Sequence, residues 1–153
     1  MTKPTAQGHQ TVLLNKIMLA LQLFVDFKIQ NKDKVELIPC DVNNIDKASQ
    51  YLLLDTQAEC YKMFINIYLY ALVSKKKSDT VSIYNCHTND KKKAIEEFYK
   101  KHDNLIENLR ILRNSYYAHF DLNLFQKLKD VPLLSMQEMY ECIIDVMNIL
   151  DYT

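Results

Sequence analysis

Arg110, Arg113 and His119 fall within one short string, Leu109-Arg-Ile-Leu-Arg-Asn-Ser-Tyr-Tyr-Ala-His-Phe-Asp121. These are the chain's two arginines; the rest of its 19 basic residues are lysines, and His119 is one of four histidines. A guanidinium keeps its charge on partial burial and presents a planar fork that matches a carboxylate or a phosphate bidentately, which an ammonium does not. An imidazole, with an unperturbed pKa of ~6.5, takes or gives a proton near neutrality. Together the two side chains suit holding an anionic group while a proton moves beside it.

These residues must be positioned by a helix. Asn89 or Asp90 opens a long amphipathic pattern in which Leu105, Leu109, Leu112 and Tyr116 make one stripe. At ~100° per residue, His119 continues that stripe near one edge and Arg113 lies at the other, roughly 120° away. A straight helix therefore does not aim both at one atom. They converge if the helix loosens near Ala118, or if the arginine of one copy faces the histidine of another across a symmetric interface. A break near His102-Asp103, with Asp103 capping a restart, is a further feature of this pattern.

Three other principal helices are expected. Met1–Gln10, with Pro4 and Gly8, reads as a loose arm. Thr11 then caps a helix to about Gln30 with Leu13, Ile17, Leu21, Phe24 and Lys28 at helical spacing, widened by Leu14, Met18 and Val25. Asn44 or Asp46 caps a second long helix that ends in Lys75-Lys76-Lys77, cations suited to the negative end of the helix dipole. Its tyrosines, Tyr51, Tyr61, Tyr68 and Tyr70, read as packing residues with hydroxyls at the rim of the core. Ser78–Thr88 connects onward, extended at Val81–Tyr84. After the motif, Asp121 starts a short helical piece, Leu122–Lys129, closed by Pro132. The last helix has a capping box, Ser135-Met-Gln-Glu138, with Leu134 and Met139 placed as a hydrophobic staple. The pattern predicts an all-α fold: a single domain over residues 1–153, an antiparallel bundle of four principal helices plus a short one.

Composition narrows the function. One Gly and three Pro among 153 residues argue against a turn-rich β fold. Acidic and basic residues balance at 19 each, so any nucleic-acid contact is local and not a general basic surface. Cys40, Cys60, Cys86 and Cys142 lack paired spacing and read as reduced thiols; Cys86-His87 without a second pair is a weak metal signal. No His/Glu pairs sit at ligand spacing, so neither a metal nor another cofactor is expected. The longest uncharged apolar run, Met63–Ser74, is shorter than the ~20 residues a spanning helix needs, and the N-terminus carries no secretory pattern. A soluble, cytoplasmic protein without membrane contact is expected.

At Arg113-Asn114-Ser-Tyr-Tyr-Ala-His119, followed by Phe120-Asp121, the chain resembles the HEPN superfamily, whose signature is Arg, a polar residue, several further positions, then His. The string looks most like the abortive-infection U branch. The resemblance is sharp over about 13 residues and architectural elsewhere. It implies a helical bundle that forms a homodimer, with two copies of the motif lining one cleft. Many relatives are metal-independent ribonucleases of toxin–antitoxin, phage-defence or RNA-processing settings, some paired with a separate antitoxin chain; others are non-catalytic. RNA supplies its own nucleophile, the 2′-hydroxyl. The resemblance thus implies His119 as general base or acid, Arg113 on the non-bridging oxygens and Asn114 orienting phosphate or histidine. Arg110 and Tyr116 would bind substrate, single-stranded RNA or a tRNA loop. On an ideal helix Asn114 points away from both Arg113 and His119.

A competing reading has the motif serve structure or binding: a histidine on an apolar stripe is often a core residue, and an arginine at a seam often pairs with a carboxylate. The protein is then a non-catalytic helical module for a nucleotide, RNA or protein partner, which the zero net charge favours.

Overall fold

The computed structural model describes residues 5–32, 45–117 and 134–152, with backbone alone for 45–55 and 115–117. Helices α1 (Ala6–Gln30), α2 (Ile45–Val73), α3 (Lys92–Ile111) and α4 (Met136–Ile149) make up most of them, and no strand occurs among the described residues. The expected short helix Leu122–Lys129 lies outside them.

Helix α1 starts earlier than expected. Thr5, in extended conformation, caps it by accepting the Gly8 N–H at 3.3 Å, while Thr11 instead donates back to the Gln7 carbonyl. Residues 6–10, expected in the loose arm, are its first turns, and Gln10 is buried with its amide on the Val81 carbonyl at 2.9 Å. The buried stripe is Gln10, Leu14, Ile17, Ala20, Phe24 and Phe27, so Val25 and Lys28 face solvent. Apolar residues occur around most of this helix, and periodicity alone does not select the face.

Helix α2 buries Ile65, Asn66, Leu69, Tyr70, Leu72 and Val73 and ends there, so Lys75–Lys77 lie just beyond the helix and not in its last turn. The connection explains the stop. It folds back as a series of turns, with none of the extended structure expected at Val81–Tyr84, and bonds to carbonyls at the end of α2 and just beyond it. Ile83 N–H donates to Leu72 O at 2.8 Å, the buried Ser82 hydroxyl to Ser74 O at 2.5 Å, and Asn85 Nδ2 to Lys76 O at 2.5 Å.

Helix α3 follows a 3₁₀ turn at Asn89–Lys91 and runs unbroken through His102 and Asp103. Its stripe of Ile95, Phe98, Tyr99, His102, Leu105, Ile106 and Leu109 makes a break there unfavourable, because it would expose the middle of the core face. Helix α4 has the expected cap: Ser135 Oγ accepts the Glu138 N–H at 3.3 Å. Met139 is buried, and Leu134 packs against the same core.

Side-chain contacts join the helices to one another. Phe27 meets Tyr61 and Lys16 meets Tyr68 between α1 and α2; Asn66 meets Leu109 and Tyr99 meets Val73 between α2 and α3. Lys91 bonds Ile149 O and His102 bonds Asp145, joining α3 to α4. The centre is Leu14, Ile17, Ile65, Leu69, Leu72, Leu109, Ile143 and Val146, each fully buried, and each such side chain contributes roughly 1.5–3 kcal/mol. No helix among the described residues is long and apolar enough to cross a membrane.

Candidate functional site

The helix that carries the motif changes pitch at it. From Leu112 to Tyr117 the backbone is π-helical, with bonds from residue i to i+5. At the junction Leu112 N–H is shared between the carbonyls of Asn108 and Leu109. Leu109 O also receives Asn66 Nδ2 at 3.4 Å, from the neighbouring helix. Asn66 is fully buried, and its Oδ1 has no partner among the described residues. A polar side chain in the core of α2 thus holds the last α-helical turn at the place where the π turn begins.

Beyond this junction the ideal wheel no longer applies, because a wider turn rotates each residue by less. Asn114 is therefore not turned away from Arg113. Arg113 Nη1 donates to Asn114 Oδ1 at 3.1 Å, and the guanidinium carbon lies 5.7 Å over the Tyr70 ring. Arg113 is exposed and meets no carboxylate among the described residues. Arg110 is different. It pairs with Glu107 through Nε to Oε2 at 2.8 Å and Nη2 to Oε1 at 2.6 Å. The bidentate contact holds the Glu107 carboxyl below its usual range and raises the Arg110 guanidinium. Of the expected site residues, the structure brings Arg113 and Asn114 together and ties Arg110 to its own helix. Tyr116 has its backbone in the π turn, its side chain lies outside the description, and His119 lies outside the described residues.

A cleft of about 500 Å³ opens beside Arg113, lined by Tyr70, Lys75, Lys76, Asp103, Ile106, Glu107 and Arg110. Tyr70 joins it to the motif, with its ring under the Arg113 guanidinium. Tyr70 is buried, as a packing residue would be, and the same ring also seats the arginine. Asn66 stood unnoticed within the apolar run Met63–Ser74, where a lone amide was the available signal.

A second polar cluster sits between α3 and α4. The buried His102 ring contacts Asp145 Oδ2 through Nε2 at 2.7 Å and lies 4.8 Å from the Phe98 ring, and Lys101 reaches the same carboxyl oxygen at 2.8 Å. Burial pushes the Asp145 carboxyl up, but the bonds from Lys101 and His102 outweigh it and leave its pKa lowered. Nearby, burial raises the Cys142 thiol to about 12, which leaves it a packing residue and not a nucleophile. A lowered carboxyl pKa stabilises the fold above the ordinary carboxylate range, and that share is lost as pH falls through the folded-state value. The Tm gap between wild type and Asp145→Asn should therefore narrow from about pH 6 to about pH 3. A gap that stays constant would mean the carboxylate charge contributes nothing. No group of His, Cys, Asp and Glu arranged to hold a metal ion occurs among the described residues.

In comparisons with protein-family models, curated proteins and solved structures, nothing matches this chain.

Proposed function

We propose that this chain is a HEPN-type, metal-independent endoribonuclease, a four-helix bundle acting as a homodimer with two copies of the motif around one cleft. The observation that carries the reading is Arg113: exposed, without a carboxylate partner among the described residues, and set forward on a π turn beside Asn114. Arg110, three residues earlier, differs in being held bidentately by Glu107.

In this reaction the 2′-hydroxyl oxygen attacks phosphorus and gives its proton to the His119 imidazole. The bond from phosphorus to the 5′ oxygen breaks, and that oxygen takes a proton from water. A 2′,3′-cyclic phosphate and a 5′-hydroxyl result. Arg113 holds the non-bridging oxygens as charge builds on them, and Asn114 steadies the guanidinium through its carboxamide oxygen. The proposed setting is a toxin or phage-defence protein of the cytoplasm, with RNA as substrate and a separate antitoxin chain as partner.

Incubating the protein with total RNA in EDTA tests the reading. Cleavage to products with cyclic-phosphate ends is expected, and intact RNA across a range of protein concentrations would remove the proposal. The balance of 19 acidic against 19 basic residues favours a second reading, a non-catalytic module that binds RNA, nucleotide or protein. Under it, Arg113→Ala weakens binding while no RNA is cut.

A further inference from the structure

The chain has no net charge, yet the surface next to Arg113 is uneven. Lys75 and Lys76 line the cleft from the end of α2, and Arg110 lines it from α3, with Arg113 at its Tyr70 wall. Against these four cations stand two carboxylates, Asp103 on Lys75 at 2.5 Å and Glu107 on Arg110. Lys76 and Arg113 have no ion-pair partner among the described residues. Both carboxylates are mostly solvent-facing, with side-chain exposures of 66% and 52%. Exposed pairs of this kind hold weakly, so an incoming anion displaces them at little cost. The connection after α2 fixes the lysine backbone, since Lys76 N–H donates to Ser74 Oγ and Lys76 O accepts from Asn85.

We infer that this cleft is the track on which a single-stranded RNA lays its phosphates as it leaves the Arg113 motif, with Lys75, Lys76 and Arg110 as the phosphate-binding groups. The inference rests on the ribonuclease reading for the strand's direction away from Arg113, and its lysines lie outside the proposed chemistry. What distinguishes a nucleic-acid strand from an acidic peptide is the surface between the cations. Ile106 adds an apolar surface to the lining, and Tyr70 with the Arg113 guanidinium against it adds a flat π surface, which suits a strand that carries bases as well as phosphates. An acidic peptide would be served by charge alone.

The test uses the full chain and a fluorescein-labelled 2′-O-methyl oligouridylate, which lacks the attacking hydroxyl and so reports binding without cleavage. Anisotropy is followed against salt for wild type, for Lys75→Gln with Lys76→Gln, and for Lys28→Gln with Lys32→Gln at the opposite end of α1 as control. Each lost phosphate contact lowers the logarithmic salt slope by about 0.7 on a single strand. From about 50 to about 200 mM salt the cleft variant should therefore lose about sevenfold less affinity than wild type, with the control unchanged. Equal slopes for wild type and cleft variant would overturn the track. So would displacement of the oligonucleotide by polyglutamate as effectively as by unlabelled strand, since the partner would then be an acidic chain. Cleavage of unmodified RNA is measured in parallel. A slope change without cleavage sinks the ribonuclease reading alone, and cleavage with unchanged slopes sinks the track alone.

Discussion

Arg113→Ala should lower RNA cleavage by at least about 10²-fold while the Tm moves by no more than about 2 °C. The asymmetry follows from its surroundings. Among the described residues Arg113 touches the Asn114 carboxamide and the Tyr70 ring and bridges no carboxylate, so truncation leaves no buried charge stranded. The phosphorane it would hold, in contrast, loses a forked donor aimed at developing charge. Arg113→Lys keeps the charge without the fork and should recover only a minor part of the rate. His119→Ala should be comparably inactive, since acid–base catalysis contributes about 10²–10⁴-fold. Mixing the two inactive proteins discriminates how the site is assembled. If arginine and histidine come from different copies, a heterodimer rebuilds one of its two sites, and activity returns to about a quarter of wild type. Full cleavage by Arg113→Ala would end the proposal, and a mixture that stays inactive would place both groups on one chain.

Asn66→Asp should unfold the protein near neutral pH and let it refold in acid. Asn66 is fully buried, its amide nitrogen faces the Leu109 carbonyl, and no cation pairs with it among the described residues. An introduced carboxylate meets that carbonyl well when protonated and badly when ionised. Its folded-state pKa is thus raised above the ordinary value. The sign is the reverse of the Asp145 case: stability is intact below the ordinary carboxylate pKa and falls as pH rises, by ~1.4 kcal/mol per unit, until the raised value is passed. For a fully buried acid the rise reaches ~3–5 units, a loss comparable with the ~5–15 kcal/mol that holds a domain together. Circular dichroism from about pH 4 to about pH 8 reads this directly. A variant folded equally well throughout would show that water or a side-chain shift already solvates this position.

The sequence made the helices legible because each carries an apolar face and ends near polar or proline-bearing stretches. Ser135 and Glu138 marked the start of α4 to the residue, since a capping box is a local chemical pattern. Thr5 was missed because Gly8 and its polar neighbours resemble a loop, although Gly8 supplies the N–H that Thr5 caps. A loosening near Ala118 is one expectation of the sequence, but the start of the pitch change at Leu112 is not legible for a different reason. Leu105, Leu109, Leu112 and Tyr116 keep α-helical spacing across it, and the partner that anchors the junction, Asn66, is 43 residues away in the chain. His102 was read as a point of weakness, yet its ring is satisfied by Asp145 on another helix. By residue type alone Arg113 and Arg110 are alike. A glutamate three residues before Arg110 separates them, a pairing the spacing did allow.

The turns between Val73 and Asn89 bear on how the molecule can be engineered. Polar and glycine-free, they look like an open surface loop and an obvious place to splice in a tag or to cut for circular permutation. Ile83 nevertheless closes there on the Leu72 carbonyl of α2, and Ser82 and Asn85 hold the residues just past the helix, with Ser74, Ser82 and Ile83 fully buried. An insertion at this point would strip a 29-residue helix of its closing bonds and set Lys75 and Lys76 adrift from the arginines they stand beside.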